Sequence, residues 1–149
     1  EGGGWALAVE APGAQTALAR EGARVHTTVG GRYVTLVRLR GRLHAFDSNC
    51  YHAGGPLGLG DIEETGGRLC VVCPWHHYQI TLDTGEKLYQ SLERAPDTGQ
   101  MRPGPWKSIG PRQRVHGVEE RPDGGVYVRL RDARSDPGAD PKLAACDAY

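Results

Sequence analysis

The sequence predicts an all-β fold, closed as a sandwich or barrel, and three observations carry that prediction. β-Branched and aromatic residues gather in short runs, glycine-bearing turns separate the runs, and no stretch of helical period is long enough to compete. At 149 residues the chain has enough length for one domain with its own core and too little for two comfortable ones. The expected organisation is a single domain over 1–149, with a core at about 24–130, an N-terminal segment 1–23 and a C-terminal tail 131–149.

The Gly- and Ala-rich N-terminal stretch has one apolar group, Trp5 to Val9, which reads as an edge segment. Strands follow at Val25 to Val29, Tyr33 to Leu39 and Leu43 to Phe46, separated by turns at Gly30-Gly31 and Arg40-Gly41-Arg42. In the second of these, Val34 and Leu36 share one face by period two, while Tyr33, Thr35, Val37 and Leu39 share the other. Both faces are partly apolar, which places that strand inside the structure.

Further on, Asp61-Ile62-Glu63-Glu64 reads as an acidic turn, extended as far as Gly67. Strands are expected at Leu69 to Val72, Gln79 to Leu82 and Lys87 to Tyr89, with a turn at Asp83-Thr84-Gly85-Glu86. Ser91 to Arg112 carries Pro96, Pro103, Pro105 and Pro111 among several glycines, which predicts a long loop anchored to the core by Trp106. A final hairpin joins Arg114 to Glu119 with Val126 to Leu130 around Pro122-Asp123-Gly124-Gly125. Beyond it the tail is polar, with Leu143 to Tyr149 as a segment able to dock.

Composition narrows the function. The 18 basic and 18 acidic residues cancel, and no basic run is interleaved with aromatics, so the electrostatic footprint of a nucleic-acid binder is absent. No apolar stretch approaches the ~18 to 20 residues that span a bilayer. The chain begins at Glu1 and has one methionine, Met101, so a removed targeting peptide would leave no trace here. Of four cysteines, Cys70 and Cys146 show no disulfide framework; both are expected as free thiols in a reducing, intracellular and most simply cytoplasmic setting, with Cys70 a small buried hydrophobe.

The chemistry is concentrated in two short motifs, Cys50-Tyr51-His52 and Cys73-Pro74-Trp75-His76. A single residue between Cys and His in an extended loop aims the two side chains apart, which suits two neighbouring metal atoms better than one tetrahedral ion. A [2Fe–2S] cluster offers two such atoms. If each loop gives its cysteine to one iron and its histidine to the other, Cys50 and Cys73 hold the first and His52 and His76 the second. Two Cys and two His also make a Cys2His2 structural zinc site, but the usual spacing there pairs Cys with Cys and His with His, whereas each motif here pairs Cys with His.

These motifs resemble those of the Rieske family. Cys50-Tyr51-His52-Ala53-Gly54-Gly55-Pro56-Leu57 is close to C-x-H-x-G-x-x-L, and Cys73-Pro74-Trp75-His76 matches C-P-x-H. The run through Thr81, Gly85-Glu86 and Tyr89-Gln90 is most similar to the small Rieske iron–sulfur domain proteins of animals, and the resemblance covers residues 24 to 130. One departure is the spacer of twenty residues between His52 and Cys73.

The resemblance implies a Rieske-type antiparallel β-sandwich or barrel with a cluster-binding subdomain of two hairpin loops, and a single [2Fe–2S] cofactor on Cys50, His52, Cys73 and His76. It also implies a soluble one-electron carrier, expected as a monomer. Its partners would be protein redox partners, a reductase and an oxidase or oxygenase, with no substrate-converting site and no catalytic residue of its own. A Rieske component of a larger oxygenase is the alternative, and a zinc-stabilised interaction module a weaker one.

Four thiolates would leave the core dianionic, whereas two thiolates and two neutral imidazoles leave it uncharged and easier to reduce. Rieske proteins of the cytochrome bc type add a bracing disulfide at positions matched here by Gly55 and Trp75. They also place Ser and Tyr hydrogen-bond donors where this chain has Tyr78 and Ile80. An unbraced centre with fewer donors predicts a low potential for its class. His77 is expected to be a bystander, His26, His44 and His116 ordinary strand residues, and Trp75 a shield over the centre or an aromatic contact for a partner. Asp61, Glu63 and Glu64 read as a solvated turn, with a basic redox partner as the rival use.

Overall fold

The computed structural model describes residues 4–131 and contains two antiparallel sheets. The first has six strands, β1 (Trp5–Val9), β2 (Arg24–Val29), β3 (Arg32–Leu39), β4 (Arg42–Asp47), β10 (Val115–Glu120) and β11 (Val126–Arg129), in the order β1-β11-β10-β4-β3-β2. The second is the five-stranded meander β5 (Asp61–Thr65), β6 (Arg68–Val72), β7 (Gln79–Thr81), β8 (Glu86–Arg94) and β9 (Met101–Pro111). The all-β expectation holds. So does the edge position of the Trp5 segment, since β1 pairs only with β11.

Strand β3 explains why two sheets share one chain. Its Val34 and Leu36 face a core with Val29, Ala45, Val126 and Val128, closed by Ala14 and Leu18 from the short helix α1 (Gly13–Ala17) and the residue after it. Its Val37 and Leu39 face a second core with Phe46, Leu57, Val71, Ile80 and Leu82. The period-two reading of this strand therefore separates two cores, and both faces are buried from Val34 to Val37, while Tyr33 at the strand's start stays exposed. Asp47, at the end of β4, binds Arg32 at 2.7 Å and His116 Nε2 at 2.6 Å, while His116 Nδ1 accepts the Arg131 N–H. His116 is thus a buried polar strut.

Two expected loops are strands. Asp61–Thr65 is β5, paired residue by residue with β6, and only Gly66 and Gly67 turn; burial of Thr65 and partial burial of Ile62 outweigh the acidic composition. Ser91 to Arg112 is not a long loop either, because β8 and β9 form a hairpin with register shifts near Leu88 and Leu92. Pro96 lies in the turn between them, and Pro103, Pro105 and Pro111 are tolerated because β9 is an edge strand, where a missing N–H on the solvent side breaks no ladder bond. Trp106 is not a core anchor: it is more than a third exposed and lies over Gly66.

Cys70 is fully buried, as expected. Cys146 and the Leu143 to Tyr149 segment lie outside the described residues.

Candidate metal centre

Two connections bring the motif residues together. The first runs from β4 to β5. Its tight path is set by backbone bonds from Cys50 N–H to the Gly55 carbonyl (2.7 Å) and from Gly54 N–H to the Cys50 carbonyl (2.8 Å). Leu57, fully buried in the second core, pins the far end of this loop. The second connection joins β6 to β7, closed by Cys73 N–H to the Tyr78 carbonyl (3.0 Å) and His77 N–H to the Cys73 carbonyl (2.8 Å). His77 takes a left-handed conformation, φ +59°, to make that turn.

The four motif residues fall into two pairs. Cys50 and Cys73 are 1% and 2% exposed, and their side chains are within hydrogen-bonding reach of each other. Burial, with the Cys73 sulfur nearby as a lesser cause, pushes the Cys50 thiol up to about 12, against the lowering effect of the His52 N–H. His52 and His76 are exposed, and their ring centres are 4.8 Å apart, edge to face. Among the described residues no three His, Cys, Asp or Glu side chains gather around one point. Buried sulfurs and exposed imidazoles, each supplied once by each loop, are the donor types of a Rieske centre.

Close packing between the loops makes this possible. A Cβ on Gly55 would lie 2.9 Å from the Cys73 sulfur and 3.0 Å from the Trp75 ring, so glycine is what lets the second loop lean on the first. Trp75 covers Gly55 yet keeps 57% of its surface exposed, which favours its reading as a contact aromatic over that of a shield.

Three features escaped sequence reasoning. Tyr78 stacks on His52, with centroids 4.3 Å apart and planes 18° from parallel, and the Lys87 ammonium sits 4.3 Å from the Tyr78 ring centre. Gln113, fully buried, reaches the first loop from a position more than sixty residues away. No local pattern announces such contacts. Of the acidic group on β5, Glu64 pairs with Arg40 at 2.5 Å, and beyond it Asp83 and Glu86 share Arg68 at 2.9 and 2.8 Å.

Comparison with known proteins follows the same lines. The profile of soluble Rieske-type ferredoxins matches residues 13–133. A human Rieske domain-containing protein is 49% identical over 107 residues, covering 72% of this chain and 66% of the relative, a little under two thirds of its length. The terminal oxygenase of carbazole 1,9a-dioxygenase from Nocardioides aromaticivorans IC177 superposes with a TM-score of 0.59 at 26% identity, over 87% of this chain and 31% of the oxygenase. The ferredoxin of carbazole 1,9a-dioxygenase from the same organism superposes with a TM-score of 0.50 at 20% identity, over 75% and 88%, a likeness of fold. Two facing loops carrying one Cys and one His each, on a two-sheet antiparallel frame, agree with the profile and with the human relative: the chain belongs to the soluble Rieske-type ferredoxin family.

Proposed function

We propose that this protein is a one-electron carrier whose Cys50 and Cys73 hold one iron, and whose His52 and His76 hold the other, of a single [2Fe–2S] cluster. A Rieske-type ferredoxin is an iron–sulfur protein, and the cluster, when bound, supplies reversible one-electron chemistry. The observation that carries the ligand assignment is the pairing itself: two thiols buried side by side and two imidazoles 4.8 Å apart at the exposed tips of two loops. Two donor pairs suit two metal atoms, and they fit a single tetrahedral zinc poorly.

The chain's own residues divide the work. Cys50 and Cys73 keep their sulfurs out of water, Leu57 and the backbone bonds of the first loop hold them there, and His52 and His76 face solvent, where a partner comes within tunnelling reach. The proposed partners are a reductase and an oxygenase or oxidase, and the whole of 1–149 is treated as one Rieske domain. Among the described residues no helix is long and apolar enough to cross a membrane. A second reading, the Rieske component of a larger oxygenase, is supported by the match to 31% of an oxygenase chain.

Absorption and EPR spectra of protein reconstituted with iron and sulfide test the proposal. A coloured protein with a reduced-state Rieske signal is expected; a colourless protein carrying stoichiometric zinc would overturn it.

A further inference from the structure

Gln113 stands in the link between β9 and β10, far in sequence from both motifs, and every polar atom of its side chain is used on the first loop or on the end of β4 that leads into it. Its Nε2 donates to the Asp47 carbonyl (3.1 Å) and the Asn49 carbonyl (2.8 Å), and its Oε1 accepts the Tyr51 N–H at 2.7 Å. Asn49 and Tyr51 flank Cys50, so one amide grips the backbone on either side of that cysteine. The side chain is fully buried, so no water competes for these bonds.

The main chain of Gln113 is tied just as firmly to the other hairpin. Its N–H donates to the Gly85 carbonyl at 3.0 Å, and Gly85 N–H donates to the Thr81 carbonyl at the end of β7, also at 3.0 Å. Gly85 has φ +72°, and a Cβ there would stand 2.0 Å from the Gln113 carbonyl oxygen, so only glycine allows the approach. A continuous path of hydrogen bonds thus runs from the second loop's strand, through Gly85 and Gln113, to both sides of Cys50.

We infer that Gln113 is a positioning residue that fixes the first loop, and with it Cys50 and His52, against the loop bearing Cys73 and His76. A glutamine is suited to this because its amide supplies two N–H donors for two carbonyls and an oxygen for one N–H. An apolar side chain would fill the space and leave three backbone groups without their partners. The role in holding a cluster rests on the ligation proposed above, whereas the role in ordering the loop does not.

The test separates the two. In the metal-free Q113M variant, the Tyr51 amide should exchange with deuterium roughly tenfold faster than in the parent, while amides of β3 and β6 keep their protection. In the iron-loaded variant, the cluster should bleach faster under a chelator, and its reduced EPR signal should broaden. Should Q113M fail to fold, Q113E serves instead. Its carboxyl keeps an acceptor for Tyr51, so that amide stays protected, but it can donate to one carbonyl at most, and chelation should still accelerate. Unchanged Tyr51 exchange in Q113M, exchange that rises equally in every strand, or an unchanged chelation rate in Q113E would overturn the inference. Failure of the parent protein to take up a cluster would instead refute the proposed function and leave the exchange result to decide on Gln113.

Discussion

Trp75 lies over Gly55, with ring atoms 3.0 Å from where a Cβ at that glycine would stand. In bc-type Rieske proteins the matching positions form a disulfide, so here a packing contact occupies the place of a covalent brace. The same absent Cβ would sit 2.9 Å from the Cys73 sulfur. Gly55→Ala should therefore push the second loop outward, costing about 1–3 kcal/mol of stability and most of the bound iron. Chemical denaturation and iron analysis check this; full iron content in the variant would refute it.

Trp75→Ala should behave differently. Much of the ring is already in solvent, so stability should fall by no more than about 1 kcal/mol. Electron transfer to a physiological partner should slow by more than stability explains, as read by stopped-flow oxidation of the reduced protein.

His76→Ala should abolish the cluster spectrum, whereas His77→Ala should spare it. Because His77 holds φ +59°, His77→Gly relieves a strained backbone and should leave the fold as stable as the parent or slightly more so, by roughly 0.5 kcal/mol. A lost spectrum in the His77 variants and a retained one in His76→Ala would reverse the ligand choice.

A negative midpoint potential is expected for the loaded protein, because bc-type Rieske proteins place Ser and Tyr donors at the positions held here by Tyr78 and Ile80, which offer fewer. Within that range Lys87 is expected to act upward: its ammonium rests on Tyr78, which stacks on His52, and a nearby cation would favour an added electron on a cluster held there. Lys87→Gln should lower the midpoint by protein-film voltammetry, and a rise would exclude this electrostatic role.

Acid should weaken the fold through Glu86. Arg68 first, then Thr84 and Ser108, hold its carboxyl down at about 2, below its ordinary value of 4.5. The folded form thus prefers the carboxylate. The associated stability is complete above the unfolded value and is lost as pH falls through the interval toward 2. Allowing for solvent screening, the contribution is about 1 kcal/mol. Urea unfolding of wild type and Glu86→Gln should show a gap at neutral pH that closes in acid.

Much of the architecture was legible because strands with two apolar faces and glycine turns leave a local trace. The β3 strand is the clearest case, its alternation dividing Val34 and Leu36 from Val37 and Leu39 as the two cores require. The motif residues were legible for a similar reason, since a Cys and a His one or two residues apart form a local chemical pattern. Strand β9 was not, because a proline reads as a breaker in local sequence and is compatible with a strand only at a sheet edge, which tertiary pairing decides. Nor were Gln113 and the Tyr78–His52 stack: each depends on where a distant or neighbouring loop comes to rest, and a solitary glutamine or tyrosine carries no signature of that.

The prolines of β9 have one more effect. An outermost strand normally offers its free N–H and C=O groups as a template on which a second chain can grow, and the exposed Met101, Trp106 and Ile109 would make such growth adhesive. Pro103, Pro105 and Pro111 interrupt that row of donors. The residues that disguised the strand in the sequence are thus a safeguard against edge-to-edge growth, keeping an adhesive outer strand from recruiting a second chain.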